Sequence, residues 1–181
     1  DIRDSIAATE TTGPMAIYAV QGYCVTCKDA GELYNGRFFA PANTTHSYNK
    51  AVFEWEQRKN TDLAGFWPTS EVPYGFMTAM NNGDIRKGHG FTHWWKMFNP
   101  RQLLTHASLL KWLQHHRLSA AAEAVLGIVQ LYLKNNCMFA FWHLSLDKLA
   151  PAMSNSNFHP KSSVVEIGAF APIGYGPWSS S

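Results

Sequence analysis

The stretch from Gly88 to Trp112 constrains the fold most, because it contains a complete signal for the start of a helix. Asn99 is a residue type that caps helix N-termini, and Pro100 follows at the first helical position, where a missing N–H costs nothing. The pair predicts a helix that begins at Pro100 and ends near His116. Four apolar residues recur at helical spacing and are predicted to face a core: Leu103, Ala107, Leu110 and Leu113.

The same stretch lies in a region without acidic residues. No Asp or Glu occurs between Ile85 and Ala122, although the chain has 13 of them. The region contains five of the eight His residues and six of the 15 basic residues, which are Arg86, Lys87, Lys96, Arg101, Lys111 and Arg117. A helix N-terminus beside unopposed positive charge favours phosphate or a nucleic-acid backbone. The alternative is an ordinary core helix behind a solvated basic loop.

Composition limits the classes of protein to which this chain can belong. A length of 181 residues fits one domain with a proper core. Charged residues are only 15% of the chain, against about 25% in typical proteins, so we expect part of its surface to be covered by a partner or by further chain. The net charge of +2 is too small to indicate nucleic-acid binding without the local cluster. No apolar run is long enough to span a membrane, and the N-terminus has no signal-peptide pattern, so we expect a cytoplasmic protein without a membrane partner.

Periodicity and turn residues predict an α+β, helix-rich fold with a small N-terminal β-hairpin. Residues 1–14 are polar and predicted to be a flexible arm, and residues 15–178 a single domain. Within that domain we expect a hairpin over 15–40, a helix over 43–59, a loop-rich basic region over 60–98, a helical core over 99–152, and a C-terminal strand and tail over 163–178. Ser119 is predicted to cap a helix that ends near Asn135. Residues 137–150 fit either a helix or a buried strand with a short helix.

Cys24 and Cys27 have the C-x-x-C spacing of half a zinc ribbon. A structural zinc site needs four ligands, and the remaining Cys137 stands alone among apolar residues, so it is predicted to be buried. We therefore expect Cys24 and Cys27 to be reduced and unligated. Zinc bound within this chain, with His89 and His93 completing the set, is the alternative.

Several motifs in order resemble a known family. They are Cys24-x-x-Cys27, Gly36-Arg-Phe-Phe39, and above all Phe98-Asn-Pro-Arg-Gln-Leu-Leu104, followed by Asn135-Asn136 and Phe158-His-Pro-Lys161. From about Met15 to Trp178 the chain resembles the middle part of the prokaryotic adenine-specific DNA methylases that contain a zinc ribbon. The resemblance implies a domain of a Rossmann-like N6-adenine or N4-cytosine DNA methyltransferase, of the kind found in restriction–modification.

The resemblance also implies what this chain lacks. In the family, the glycine-rich cofactor motif precedes this region and the Asp-Pro-Pro-Tyr catalytic motif follows it, so we expect the chain to be part of a longer protein. The strand predicted at Ser163–Phe170 is no substitute for the cofactor motif, because Phe170 and Pro172 stand where glycines would be needed. S-adenosylmethionine is therefore expected in the parent enzyme and not on this chain alone, and no catalytic residue is assigned here.

The predicted function is a contribution of DNA contacts or of scaffold to a methyltransferase that flips its target base. Its partners would be DNA, the remaining segments of the enzyme or a second copy. Arg101 and Gln102 are carried over from the family motif. The full set of predicted nucleic-acid contacts is Arg86, Lys87, His93, Trp94, Trp95, Lys96, Asn99, Arg101 and Gln102. Two alternatives remain: a stand-alone nucleic-acid-binding module, and a structural domain whose aromatic surface is an interface.

Overall fold

The computed structural model describes residues 15–32, 36–43, 48–80, 85–117, 119–143 and 148–150. Over these residues the protein is a helix-rich α+β fold with a small N-terminal hairpin, as the sequence predicted. The predicted arm over 1–14 and the predicted strand and tail over 163–178 lie outside the described residues.

The N-terminal hairpin consists of β1 (Ala19–Tyr23) and β2 (Arg37–Pro41), which pair antiparallel. A short helix, α1 (Val25–Asp29), stands between the two strands. Cys24 N donates to Gly36 O at 2.7 Å and so extends the pairing towards the tip. The hairpin confirms the sequence prediction, although its first strand begins at Ala19 and not at Met15.

Helix α2 comprises Tyr48–Arg58, within the helix predicted over 43–59. Before it, Pro41 belongs to β2 and Ala42 N donates to Tyr18 O at 3.1 Å. Tyr48 and Trp55 are the buried residues of α2.

The region predicted to be loop-rich contains three short helical segments. They are a π-helical turn (Phe76–Met80), α3 (Ile85–His89) and a 3-10 turn (Trp94–Met97). The π-helical turn packs against α3.

Helices α4 (Pro100–His115) and α5 (Ala120–Asn135) have the predicted bounds almost to the residue. Ser119 Oγ accepts from Ala122 N at 3.1 Å, so it caps α5 as predicted. No helix among the described residues is long and apolar enough to cross a membrane.

The open question over residues 137–150 is answered by two short strands. β3 (Phe141–His143) pairs antiparallel with β4 (Lys148–Ala150), so the predicted helical core does not reach residue 152 as helix. Both sheets in the described part of the chain are two-stranded and antiparallel. The Rossmann-like relation therefore remains a prediction.

In the described part of the chain the core consists of three apolar clusters. The first joins Phe91 and Met97 to residues 137–140, and the second joins Trp55 and Leu63 to α4. Phe98 packs against both of them. The third cluster lies between α4 and α5 and contains Leu113, Ala122, Val125 and Val129. Of the residues predicted to face the core on α4, Leu103, Ala107 and Leu113 are buried and Leu110 is half-buried.

Candidate nucleic-acid interface

The start of α4 is a complete capping box. Asn99 Oδ1 accepts from Gln102 N at 3.0 Å, and Gln102 Oε1 accepts from Asn99 N at 3.0 Å. Each side chain satisfies a backbone N–H that the first helical turn would otherwise leave without a partner. Asn99 is 0% exposed and Gln102 is 1% exposed. The helix start that the sequence indicated is therefore present, but its polar side chains point into the protein.

The capping box continues into a buried polar network that links α4 to the end of α5. Gln102 Nε2 donates to Asn136 Oδ1 at 3.4 Å, and Asn136 Nδ2 donates to the Tyr132 hydroxyl at 2.8 Å. His106 Nε2 lies 2.9 Å from Asn136 O. A carbonyl oxygen can only accept, so Nε2 carries the proton of the His106 ring. Asn136 thus accepts hydrogen bonds from two residues of α4, one on its side-chain oxygen and one on its backbone carbonyl.

Burial keeps His106 neutral. Removal from water lowers the pKa of His106 to about 4, and the hydrogen bond to Asn136 O opposes that shift only in part. Nδ1 of His106 is buried and has no hydrogen-bond partner among the described residues. Aromatic rings pack against the imidazole edge-on, since Phe98 and Tyr132 lie 5.3 and 5.2 Å from it between centroids. Near neutral pH this histidine carries no charge that could attract phosphate.

One cation of α3, Arg86, lies against an exposed aromatic side chain. The guanidinium carbon of Arg86 lies 5.2 Å from the centroid of the Tyr74 ring, within the range of a cation–π contact. Tyr74 is 65% exposed and Phe76 is 64% exposed. Lys87 follows Arg86 and is exposed as well. We call Tyr74, Phe76, Arg86 and Lys87 the aromatic–basic platform.

Residues 92–94 are held by strand-like pairing with residues 70–72. Val72 N donates to Thr92 O at 2.9 Å, and Trp94 N donates to Ser70 O at 3.2 Å. The pairing places Glu71 opposite His93 in the register. The bridge thus brings an acidic residue into register with a segment that has none in its own local sequence.

The remaining predicted nucleic-acid contacts differ in how deeply their side chains are buried. Lys96 is 9% exposed, with its Nζ 5.7 Å from the centroid of the Trp95 ring. Trp95 is half-buried and stacks edge-on with Trp67 at 6.4 Å. Trp94 is half-buried against the first core cluster. Arg101, on the first turn of α4, is half-buried.

The acid-free stretch is also neutralised at its other end. Lys111 Nζ lies 2.8 Å from Asp62 Oδ2, and Asp62 also receives Arg58 at 2.8 Å. Hydrogen bonds from Arg58 and then Lys111 lower the pKa of the Asp62 carboxyl below its ordinary value. Lys111 is therefore engaged with Asp62, in the turn after α2.

The structure thus brings together only part of the predicted set. Arg86 and Lys87 lie on the aromatic–basic platform. The side chains of Asn99 and Gln102 are buried instead, and each accepts a hydrogen bond from the other's backbone N–H. Sequence reasoning missed Tyr74 and Phe76. Their signal was weak, namely two aromatic residues around a Pro-Tyr-Gly turn, and their proximity to Arg86 depends on tertiary packing.

The cysteine pair lies at the tip of the hairpin. Cys24 and Cys27 are half-buried free thiols, while Cys137 is buried as predicted. Among the described residues no group of three or more His, Cys, Asp or Glu side chains is arranged to hold a metal ion. His89 and His93, which were named as alternative zinc ligands, join no such group there.

A cavity of about 560 Å³ lies between α4 and the turn that follows α2. Its wall is apolar except for His106 and Gln114, and it consists of Gly65, Phe66, Trp67, Pro68, Phe98, Leu103, His106, Ala107, Leu110, Gln114 and Leu133. No charged side chain lines this cavity. It therefore offers no ion-pair partner to the ammonium or carboxylate group of an amino-acid-like ligand.

No family model, curated protein or solved structure matches this chain. The resemblance to the DNA methylases therefore stays a prediction from the motifs.

Proposed function

We propose that this chain is a domain of an N6-adenine or N4-cytosine DNA methyltransferase, and that it contributes DNA contacts through the aromatic–basic platform. The observation that carries the proposal is the placement of Arg86 over the exposed ring of Tyr74, with an exposed Lys87 next to Arg86 in the chain and an exposed Phe76 two residues after Tyr74. Cationic groups next to exposed aromatic faces are how proteins bind unpaired nucleotides, with phosphates on the cations and bases on the rings.

The platform suits DNA in which a base has left the stack. A methyltransferase that acts on an exocyclic amine must extrude its target nucleotide, and aromatic side chains stabilise unstacked bases. Exposed rings such as those of Tyr74 and Phe76 have faces that a base can cover. S-adenosylmethionine and the catalytic residues belong, in this proposal, to the remaining segments of the enzyme.

The buried capping network has a supporting role in this proposal. Asn99 and Gln102 fix the start of α4, and the chain immediately before it runs through Lys96, Trp95 and Trp94. We therefore assign Asn99 and Gln102 to positioning that segment, not to direct contact with DNA.

The test is the salt dependence of binding to a fluorescein-labelled single strand and to its duplex, measured by anisotropy. Arg86→Ala with Lys87→Ala should weaken binding and lower the slope of log K against log salt by about 1.4 for the single strand, since each lost phosphate contact removes roughly 0.7. The matched control is Arg117→Ala with Lys134→Ala, which removes the same charge from exposed positions at the ends of α4 and α5. Equal losses in both double variants would refute a localised site.

A second candidate function, an interface domain, is supported by a different surface. On one face of the hairpin, Tyr18 is 73% exposed and Phe38 is 47% exposed. Large apolar side chains that share an exposed face are typical of surfaces that another chain covers. The partner would be the rest of the methyltransferase or a second copy. Sedimentation at increasing concentration tests the second-copy form, because Phe38→Ser should abolish any dimer and leave DNA binding intact.

The stand-alone binding module shares the platform with the first proposal and differs in its partner. It predicts DNA binding that gains nothing from the rest of a methyltransferase. Co-expression with segments that contain the cofactor and Asp-Pro-Pro-Tyr motifs separates the two, because only the domain proposal predicts that methylation depends on Arg86 and Lys87.

A further inference from the structure

The two thiols at the tip of the hairpin are held in a defined mutual geometry. Cys24 precedes α1 in extended backbone conformation, and its Sγ accepts from Cys27 N at 3.2 Å. Cys27 O accepts from Glu32 N at 3.0 Å, so the chain after α1 folds back onto the cysteine pair. Both cysteines are only half-buried, so small molecules can reach them.

This arrangement gives the two sulfurs different acidities. The hydrogen bond from the Cys27 thiol, followed by the one from Cys27 N, lowers the pKa of Cys24 below its ordinary value. The same contact with Cys24, followed by burial, raises the pKa of Cys27 to about 11. The thiolate is the reactive form of cysteine. Cys24 is therefore the nucleophilic cysteine of the pair, and Cys27 is the resolving cysteine.

We propose that Cys24 and Cys27 form a redox-active dithiol that reduces disulfides of small thiols by thiol–disulfide exchange. The arguments are the C-x-x-C spacing, the hydrogen bond from Cys27 N onto Cys24 Sγ, and the partial exposure of both thiols at the tip of the hairpin. The proposal is independent of DNA binding, because neither cysteine belongs to the aromatic–basic platform.

The reaction balances in two steps. The Cys24 thiolate attacks one sulfur of a substrate disulfide, forming a mixed disulfide and releasing the first substrate thiolate. Cys27 then attacks Cys24 Sγ, its proton passes to the Glu32 carboxylate or to water, and the second substrate thiolate leaves. The protein dithiol is oxidised by two electrons to a disulfide, and the substrate disulfide is reduced to two thiols.

The experiment reacts the reduced full chain with oxidised glutathione and follows the products by intact-mass spectrometry and peptide mapping. We expect the wild type to lose two hydrogens and to contain a Cys24–Cys27 disulfide. Cys27→Ser should stop at a glutathione adduct on Cys24, and Cys24→Ser should slow the reaction about tenfold or more, because the remaining thiol has little thiolate at neutral pH. Cys137→Ser is the matched control and should behave like the wild type, because Cys137 is buried.

Two results would overturn the proposal. One is equal rates for the wild type and Cys24→Ser, which would mean that the hydrogen bonds do not activate Cys24. The other is a purified chain whose thiols are blocked by bound zinc and react only after a chelator is added. Circular dichroism of each variant separates a loss of chemistry from a loss of folding.

Discussion

At the scale of single residues, Gln102 shows why a polar residue can be essential without touching a ligand. Its side chain accepts from Asn99 N and donates to Asn136 Oδ1 while 1% exposed. A buried group that loses its partner costs about 1–3 kcal/mol, and here two partners lose theirs. The residue therefore links the start of α4 to the end of α5.

We predict that Gln102→Leu, which retains volume and removes the polar atoms, lowers the free energy of unfolding by about 2–4 kcal/mol. Gln114→Leu, at an exposed position of the same helix, should change it by less than about 0.5 kcal/mol. Urea unfolding followed by circular dichroism measures both values. Similar small effects from both substitutions would show that the buried network does not stabilise the fold.

His106 makes the stability of the fold depend on pH. Its pKa is about 4 in the folded protein, below the ordinary value of 6.5, so the unfolded chain binds more protons between these values. Stability is therefore highest above about pH 6.5 and falls as pH drops towards 4, by a total on the order of 3 kcal/mol. His106→Leu should flatten this part of the curve. Urea midpoints from pH 7.5 to 4 provide the measurement, and a wild-type curve that is flat across that window would contradict the burial argument.

At the scale of elements, the tip of the hairpin depends on a glycine that no other residue replaces easily. Gly36 has φ of +84°, and a Cβ built there would lie 2.6 Å from Cys24 O and 2.8 Å from Lys28 Cβ. Gly31 has φ of +71° but has no atom within 4 Å of such a Cβ. The two glycines share the left-handed conformation and differ in crowding.

We predict that Gly31→Ala lowers the free energy of unfolding by about 1 kcal/mol, because of the left-handed backbone alone. Gly36→Ala should lower it by about 1–3 kcal/mol more, because its Cβ is also crowded. Thermal unfolding of both variants measures the difference. Equal destabilisation would mean that the tip relaxes freely around Cys24.

Because Gly36 O accepts from Cys24 N, we also expect Gly36→Ala to slow the reaction of Cys24 with oxidised glutathione.

The elements that the sequence predicted well are those specified by neighbouring residues. Asn99, Pro100 and Ser119 specify helix starts through contacts within three residues, so α4 and α5 were predicted almost to the residue. The end of β2 is set instead by distant residues, because Pro41 pairs with Ala19 and Ala42 N donates to Tyr18 O. Local residues also left the strands after Cys137 undecided, since pairing decides their type.

The candidate site was predictable only in its charges. Arg86 and Lys87 follow from the acid-free composition, but the Tyr74 ring reaches Arg86 through packing across 12 positions of the chain. Glu71 opposite His93 and Asp62 beside Lys111 also arise from tertiary contacts, and the Asp62 carboxylate pairs with a charge that looked unopposed in the sequence. The burial of Gln102 was not predictable either, because its buried partner Asn136 lies 34 residues further along the chain.

At the scale of the whole molecule, the described residues comprise a packed interior and the two proposed sites on the surface. The interior is the set of apolar clusters and the Asn99–Gln102–Asn136 network, which fix α4 against α5. The accessible sites are the aromatic–basic platform and the cysteine tip of the hairpin. In our account, the interior positions the platform for DNA, and the tip carries separate thiol chemistry.

The most direct test of the central claim is calorimetric titration of the chain with S-adenosylmethionine and then with a short single-stranded DNA, at low and at moderate salt. The account predicts no heat with the cofactor and DNA binding that weakens with salt. Tyr74→Ala should reduce the DNA affinity by about 1–3 kcal/mol, the contribution of one stacked base, whereas Phe53→Ala, at an exposed position of α2, should not. DNA binding that is absent, or that is unchanged in Tyr74→Ala, would contradict the account.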